Sequence, residues 1–199
     1  KYPFDVYSSL RLTTNLRFDK YFPLVTDNAS LNEPFNNEQR LSLKAEFVFD
    51  NTLDILTNIK NGTRYKIYAE AINEFDVETA NGLSVDASKG FTAVFGIDAR
   101  HYIPIMKYAV LALRGSAATS VGSKRIIYYL GGMENAFLSK FDQTIPLPQG
   151  SDYSYKVLAP HLRGFKTNIR NGNSFALVNT ELRIPIFKLL GMKSTGNAF

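Results

Sequence analysis

The sequence of 199 residues contains no cysteine and no tryptophan, and it has only two histidines. The absence of cysteine excludes disulfides, thiol catalysis and cysteine-ligated zinc, and it leaves the redox compartment undecided. His101 and His161 have no Asp or Glu at ligand spacing. No metal site and no cofactor are therefore expected.

Long apolar runs are also missing. The longest, residues 108–113, is far shorter than the roughly 18 residues that a membrane-spanning helix needs, so a helical membrane protein is excluded. The sequence does not open with the charged and apolar regions of a signal peptide. The net charge of +5 comes from Lys and Arg that are spread along the chain, which argues against a nucleic-acid partner.

Strand-forming residues are abundant, and aromatic side chains make up 13% of the sequence. Five segments alternate polar and apolar residues with a period of two, and a sixth, residues 108–118, does so with a blurred pattern in which Arg114 is the only charge. This periodicity predicts six β-strands. Segments rich in Asn, Asp, Gly and Pro predict the connections, residues 103–106 predict a turn, and residues 119–171 predict one very long connection. The six predicted strands are residues 5–18, 39–49, 64–75, 89–102, 108–118 and 172–186.

Each predicted strand has one apolar face and one polar face. In the last strand, for example, Asn179, Glu181 and Arg183 alternate with apolar residues. Charges of both signs predict a hydrated, mutually neutralising surface rather than a charge filter. We expect the cations to meet carboxylates across strands, because like charges directly opposite destabilise a sheet. The charged positions of the middle strands are Arg40, Lys44, Glu46, Arg64, Lys66, Glu70, Asp98 and Arg100.

Two architectures fit such strands. A soluble sandwich would pack two apolar faces together. However, strands of roughly 11 to 14 residues are about twice the usual length, and they match the length that crosses a bilayer at a tilt. We therefore predict an all-β, antiparallel transmembrane β-barrel of the Gram-negative outer membrane. Six strands cannot close a spanning barrel, because bacterial examples have about eight or more, so the chain is expected to be a slice of a larger barrel.

Four short motifs occur in order along the chain. They are Phe-Asp-Asn-Thr at 49–52, followed by Gly-Thr-Arg at 62–64; Tyr-Ile-Pro-Ile at 102–105; Tyr-Leu-Gly-Gly at 129–132; and Leu-Arg-Gly-Phe at 162–165, leading to Leu-Arg-Ile-Pro at 182–185. In these motifs the chain resembles the C-terminal barrel of the BamA and TamA superfamily of outer-membrane assembly and translocation proteins. The resemblance implies that residues 1–199 belong to one barrel and correspond to strands seven to twelve of about sixteen.

The resemblance also implies a site. The connection 119–171 would fold back into the lumen, and Arg163, within the motif Leu162, Arg163, Gly164 and Phe165, would contact the inward-facing Glu181. A guanidinium-carboxylate fork gives such a contact strength and direction. Without the resemblance, Arg163 and Glu181 would be two unrelated surface charges. The stretch 133–161 is longer than in many relatives, and Gly131-Gly132 is either a hinge or a turn.

The implied function is the insertion or translocation of other proteins without covalent chemistry. The implied partners are the lipid bilayer, client outer-membrane proteins or secreted polypeptides, and accessory subunits of an assembly complex. The alternative is a passive or plugged barrel with a structural, transport or adhesive role. An outer-membrane hydrolase would need an inward-facing Ser and His. Ser42 has the polar-face parity, but His101 has the apolar one and His161 lies in the long connection, so no enzyme is predicted.

Overall fold

A computed structural model of the chain describes residues 1–21, 36–56, 58–78, 84–106, 109–132, 141–146, 153–162, 164–188 and 195–198. Every regular element in these residues is a β-strand. In chain order the strands are β1 (Tyr2–Pro3), β2 (Ser8–Tyr21), β3 (Asn36–Asp50), β4 (Leu53–Leu56), β5 (Ile59–Glu78), β6 (Ser84–Met106), β7 (Ala109–Gly122), β8 (Arg125–Leu130), β9 (Tyr153–Leu158), β10 (Arg170–Gly172), β11 (Ser174–Lys188) and β12 (Thr195–Ala198).

Nine of these strands form one sheet, which we call the main sheet. Its order is β1-β2-β3-β5-β6-β7-β11-β12, with β4 beside β5, and all its neighbours are antiparallel. The six predicted strands therefore pair in sequence order, and the all-β, antiparallel prediction is confirmed. The main sheet is open, with β1 and β12 at its two ends. No helix long and apolar enough to cross a membrane occurs in the described residues.

The strand boundaries differ from the predicted ones in physically explicable ways. β6 continues through the predicted turn at 103–106, and Pro104 lies opposite Val110 near the strand end, where a missing N–H is tolerated. Residues 5–7, predicted as strand, form a turn instead. There, an Asp5 carboxylate oxygen accepts bonds of 2.6 Å from the backbone N–H groups of Tyr7 and Ser8, as Asp side chains often do in turns.

The register separates the two faces of the main sheet as the alternation predicts. The polar face carries the eight predicted charges of the middle strands and the residues Asn179, Glu181 and Arg183. The apolar face carries residues such as Leu12, which is 65% exposed, and Val178, which is 78% exposed. In the described residues no second layer covers the apolar face, whereas other parts of the chain pack on the polar face.

The long connection contains a second sheet, which we call the small sheet, with the order β10-β8-β9. It packs on the polar face, where Ile72, Val94 and Ala118 of the main sheet cluster with Ile126 and Tyr128 of β8. Strands were not predicted in this connection. Each of them is short, and β9 pairs with β8 in parallel from a distant part of the sequence, so local alternation gives no signal.

A hairpin of residues 53–61 also packs on the polar face, at the opposite end of the strands. It joins β4 to the start of β5, in a region predicted to be a simple connection. Ile59 is completely buried against Tyr102, Val110 and Ala112. Burial of an isoleucine side chain contributes about 1.5–3 kcal/mol, which is enough to hold a short hairpin against the sheet.

Candidate functional site

The charges of the polar face form local pairs. Glu46 lies 3.2 Å from Lys44 and 3.9 Å from Lys66. Asp98 lies 3.2 Å from Arg100 and 2.5 Å from Arg114. The expected neutralisation is confirmed for these two carboxylates, although Lys44 and Arg100 use carboxylates on their own strands rather than across the sheet.

Several rows of the polar face contradict the expectation that like charges avoid opposite positions. Arg17 lies opposite Arg40, and Asp19 lies opposite Glu38, between β2 and β3. Arg64, Arg100 and Arg114 face one another on β5, β6 and β7. Asp50, 3.5 Å from Arg64, and Asp98 offset this concentration of positive charge. Glu70 lies opposite Lys44 in the register between β3 and β5.

Arg40 does not belong to a hydrated surface, so that prediction is wrong for this residue. Its side chain is only 2% exposed. It pairs with Asp19 and Glu38, and its Nη2 donates to the Ser154 carbonyl oxygen of β9 at 2.7 Å. Parity placed Arg40 on the polar face correctly, but it carried no signal that β9 would cover it.

Two of the sequence motifs meet in the long connection. The Gly132 N–H donates to the Phe165 carbonyl at 3.2 Å, and the Leu162 N–H donates to the Gly131 carbonyl at 3.1 Å. A Cβ on Gly132 would lie 2.5 Å from the Leu162 carbonyl oxygen. Gly131 has φ +152°, a conformation that favours glycine. The glycine pair is thus a tight backbone junction that fits directly against Leu-Arg-Gly-Phe.

Arg163 itself lies outside the described residues, so its contact with Glu181 stays a prediction. The residues around it bring the connection to the same part of the polar face, because the Asn179 side chain donates to the His161 carbonyl at 3.2 Å. Glu181 accepts two bonds from Arg183, at 2.8 and 3.1 Å. A cavity of about 210 Å³ lies between the connection and the sheet. Its lining includes Arg100, Arg114, His161, Asn179, Glu181 and Arg183.

Arg183 is a connecting residue that sequence reasoning placed on the polar face without giving it a role. Besides binding Glu181, it donates to the Asn58 carbonyl of the hairpin at 3.1 Å. Its guanidinium also lies 5.7 Å from the centre of the Tyr102 ring, within the range of a cation-π contact. The side chain therefore joins the cavity beside the long connection to the hairpin 53–61.

Ser42 and His101, which were considered for catalysis, lie on opposite faces of the main sheet. Ser42 lies on the polar face, where its hydroxyl oxygen accepts a bond of 3.5 Å from Asn15. His101 lies on the apolar face, 2.7 Å from the Thr63 hydroxyl. Among the described residues, no group of three or more His, Asp or Glu side chains could hold a metal ion.

The apolar face carries a band that runs obliquely across the strands. On β2 the band extends from Leu10 to Phe18, and on β11 it extends from Ala176 to Ile184. The band begins at Leu10 on β2 and at Ala176 on β11, and these two residues lie in the same register row. Because β2 and β11 run in opposite directions, the band extends to opposite sides of this row on the two strands. That row consists of Leu10, Phe47, Ile67, Ile97, Ala117 and Ala176.

The band is inclined relative to the register rows of the sheet. The band is displaced by eight residues over the five steps from β2 to β11. With about 3.3 Å per residue and about 4.8 Å per strand, this is about 26 Å along the strands for about 24 Å across them. The edge of the band that runs from Phe18 on β2 to Ala176 on β11 is therefore inclined at about 45° to the register rows.

Comparison with models of known protein families gives no match to this chain, and neither curated proteins nor solved structures give a significant one. Membership of the BamA and TamA superfamily accordingly stays a prediction. It depends on the four sequence motifs, two of which are now seen to contact each other at Gly131-Gly132 and residues 162–165.

Proposed function

We propose that the chain is a section of an outer-membrane β-barrel that inserts or translocates other polypeptides without covalent chemistry. The observation that carries the membrane part of the proposal is the oblique apolar band. On β2 it spans nine residues, from Leu10 to Phe18, and strands of about 9–11 residues cross a bilayer when they tilt by about 45°. A band that faces a second protein layer has no need to keep that length at that slope.

The edges of the main sheet support a larger barrel. Within the part of the chain that the structure describes, β1 pairs with two residues of β2, and β12 pairs with residues 184–188 of β11. An uncovered strand edge is costly in hydrocarbon, because its N–H and C=O groups have no water to bind. Further strands would therefore complete the barrel, and a Gram-negative outer membrane is the proposed location.

The assembly role comes from the resemblance to assembly and translocation proteins, which depends on the four sequence motifs, including the two that meet in the long connection. A passive, plugged barrel is the second candidate. It is favoured by the small sheet, whose Ile126 and Tyr128 are buried against the polar face. A passive barrel with a plug has no effect on the folding of other proteins, whereas an insertase accelerates the folding of its client proteins.

The membrane proposal is tested with single cysteines. The 199 residues contain none of their own, and any cysteine elsewhere in the full gene product is replaced by serine. Leu12→Cys and Thr13→Cys are matched neighbours, both exposed, on the apolar and polar faces respectively. In the full gene product reconstituted in vesicles, an environment-sensitive dye at position 12 should be blue-shifted and quenched by nitroxide lipids. The dye at position 13 should show neither the blue shift nor the quenching by nitroxide lipids. Equal behaviour of the two positions would contradict a membrane-facing apolar face.

The assembly role is tested separately. Vesicles with and without the full gene product receive a urea-unfolded outer-membrane barrel, and its folding is followed by its changed electrophoretic mobility without heating. We expect faster folding with the protein present. Unchanged client folding, in vesicles where the dye experiment succeeds, would favour the passive barrel.

A further inference from the structure

The environment of Arg40 differs from that of the other cations on the polar face. Its side chain is 2% exposed, whereas that of Lys44 is 24% and that of Arg64 is 51% exposed. A buried guanidinium is stable only when carboxylates and other acceptors surround it. Asp19 and Glu38 supply the carboxylates. A further acceptor is the Ser154 carbonyl oxygen, which comes from β9 rather than from the main sheet.

The next residue of β9 completes the contact. The Tyr155 ring lies 4.8 Å from the guanidinium carbon of Arg17 and 5.6 Å from that of Arg40. Arg17 is held in turn by Asp19 at 2.7 Å. A tyrosine phenol is neutral at physiological pH, and burial raises the pKa of Tyr155 further. The neutral ring lies near two cations. Cation-π contacts strengthen when the cation is shielded from water.

These contacts recognise general features of β9. One is a backbone carbonyl, which every extended segment offers, and the other is an aromatic ring. The pairing of β9 with β8 is parallel and contains a register shift between Arg125 and Ile127, and parallel pairs are slightly less stable per residue than antiparallel ones. β9 therefore has two kinds of partner: β8, which pairs with it from Tyr153 to Leu158, and the main sheet, which it contacts through Ser154 and Tyr155.

We propose that Arg17, Asp19, Glu38 and Arg40 form a binding site for an extended polypeptide segment carrying an aromatic side chain, and that β9 occupies it as an internal ligand. A client segment of the same chemistry displaces β9 and releases the small sheet from this side of the polar face. This inference deepens the proposed function and rests on it, since a passive barrel has no client to bind.

The first experiment measures how firmly β9 is held. Ser154 is 5% exposed, so the full gene product with Ser154→Cys should react slowly with a maleimide. Adding Arg40→Met should raise the labelling rate about tenfold or more, because a charged hydrogen bond and a cation-π contact are lost. Arg64→Met is the matched control, because Arg64 pairs with Asp50 at 3.5 Å, away from β9. It should leave the rate unchanged.

The second experiment tests the site with a peptide. A fluorescent peptide Tyr-Ser-Tyr-Lys-Val-Leu, the sequence of β9, is titrated into the detergent-solubilised protein and followed by anisotropy. Tyr155→Ala weakens the internal ligand, so the peptide should bind this variant about tenfold more tightly than the native protein. Addition of Arg40→Met should abolish binding. A control peptide with both tyrosines replaced by alanine should not bind.

The outcomes separate the parts of the proposal. Unchanged labelling at position 154 in Arg40→Met would overturn the anchoring of β9. Faster labelling without peptide binding to Tyr155→Ala would overturn the polypeptide site. If Arg40→Met fails to fold, as judged by electrophoretic mobility without heating, Tyr155→Ala alone must speed labelling, or the proposal is wrong. Peptide binding without acceleration of client folding would contradict the assembly role while leaving the site in place.

Discussion

At the scale of single residues, Glu181 is the acidic centre of the site beside the long connection. Arg183 binds it from the same strand, and the His161 carbonyl is fixed nearby on Asn179. We predict that Arg163 adds a second guanidinium to this carboxylate. Arg163→Ala and Glu181→Ala should each free the connection, with a coupling of about 1.5–3 kcal/mol in a double-mutant cycle. Arg163→Lys should also impair it, because an ammonium cannot make the planar two-point contact.

The measurement for this cycle is protease sensitivity of residues 159–167 in the full gene product. Effects of the two alanine variants that simply add would mean that the residues do not act as a pair. The cycle is informative because only the interaction between the two side chains produces a coupling.

A second residue-scale prediction concerns Arg183. Arg183→Gln should remove the bond to the Asn58 carbonyl and the contact with Tyr102, and it should weaken the charge balance at Glu181. We expect a loss of about 1–3 kcal/mol, concentrated in the hairpin 53–61. Hydrogen exchange of the hairpin amides checks this, with Lys60→Gln as control because its partner Asp54 is well exposed. Equal exchange in Arg183→Gln and native protein would refute it.

Parity predicted the face of nearly every residue discussed above, because a strand has a strict period of two and a slip of one residue would expose the wrong side chains. The environment of a residue on that face was less predictable. Arg40 and Lys44 have the same parity on β3, yet β9 covers only Arg40, and the Arg40–Ser154 contact spans 114 residues of sequence. Burial by a distant segment leaves no local pattern.

At the scale of elements, Gly131-Gly132 makes a tight backbone contact with Leu162 and Phe165 of the Leu-Arg-Gly-Phe motif. Gly132→Ala would place a Cβ 2.5 Å from the Leu162 carbonyl oxygen and 2.6 Å from that of Phe165. We expect the turn to shift, at a cost of about 1–3 kcal/mol. Gly115→Ala is the control, because a Cβ there meets nothing within 4 Å. Faster amide exchange in residues 162–167 for Gly132→Ala alone is the expected result, and equal exchange in the two variants would argue against it.

The elements also show where sequence patterns are silent. The long strands of the main sheet have one exposed apolar face, so most of their residues alternate and the strands are predicted. β8 has four successive buried residues, Ile126 to Tyr129, because it is covered on both sides, and such a run has no alternation. β4 and β10 are too short for any period to be recognised. These strands form because the main sheet offers them a surface.

At the scale of the whole molecule, the oblique band separates the membrane proposal from a soluble sandwich. Thr14 of β2 and Val121 of β7 are both exposed on the apolar face and lie in the same register row, through Leu43, Ala71 and Ala93. If the strands tilt by about 45°, Thr14 lies at the bilayer centre while Val121 lies near its boundary. The cost of placing a charge then depends on the depth of the residue in the bilayer, and two residues of one register row lie at different depths.

We therefore predict that Thr14→Arg lowers the free energy of unfolding of the vesicle-inserted protein by about 2–4 kcal/mol. Val121→Arg should lower it by about 0–1 kcal/mol. An arginine at the bilayer centre is costly because its charge is far from water, and the cost falls towards the interface. Thr13→Arg, on the polar face, controls for the added charge and volume. The measurement is the urea dependence of folding for the full gene product. In a sandwich the two apolar-face positions would sit in the same packed row, so equal losses at positions 14 and 121 would rule out the tilted membrane arrangement.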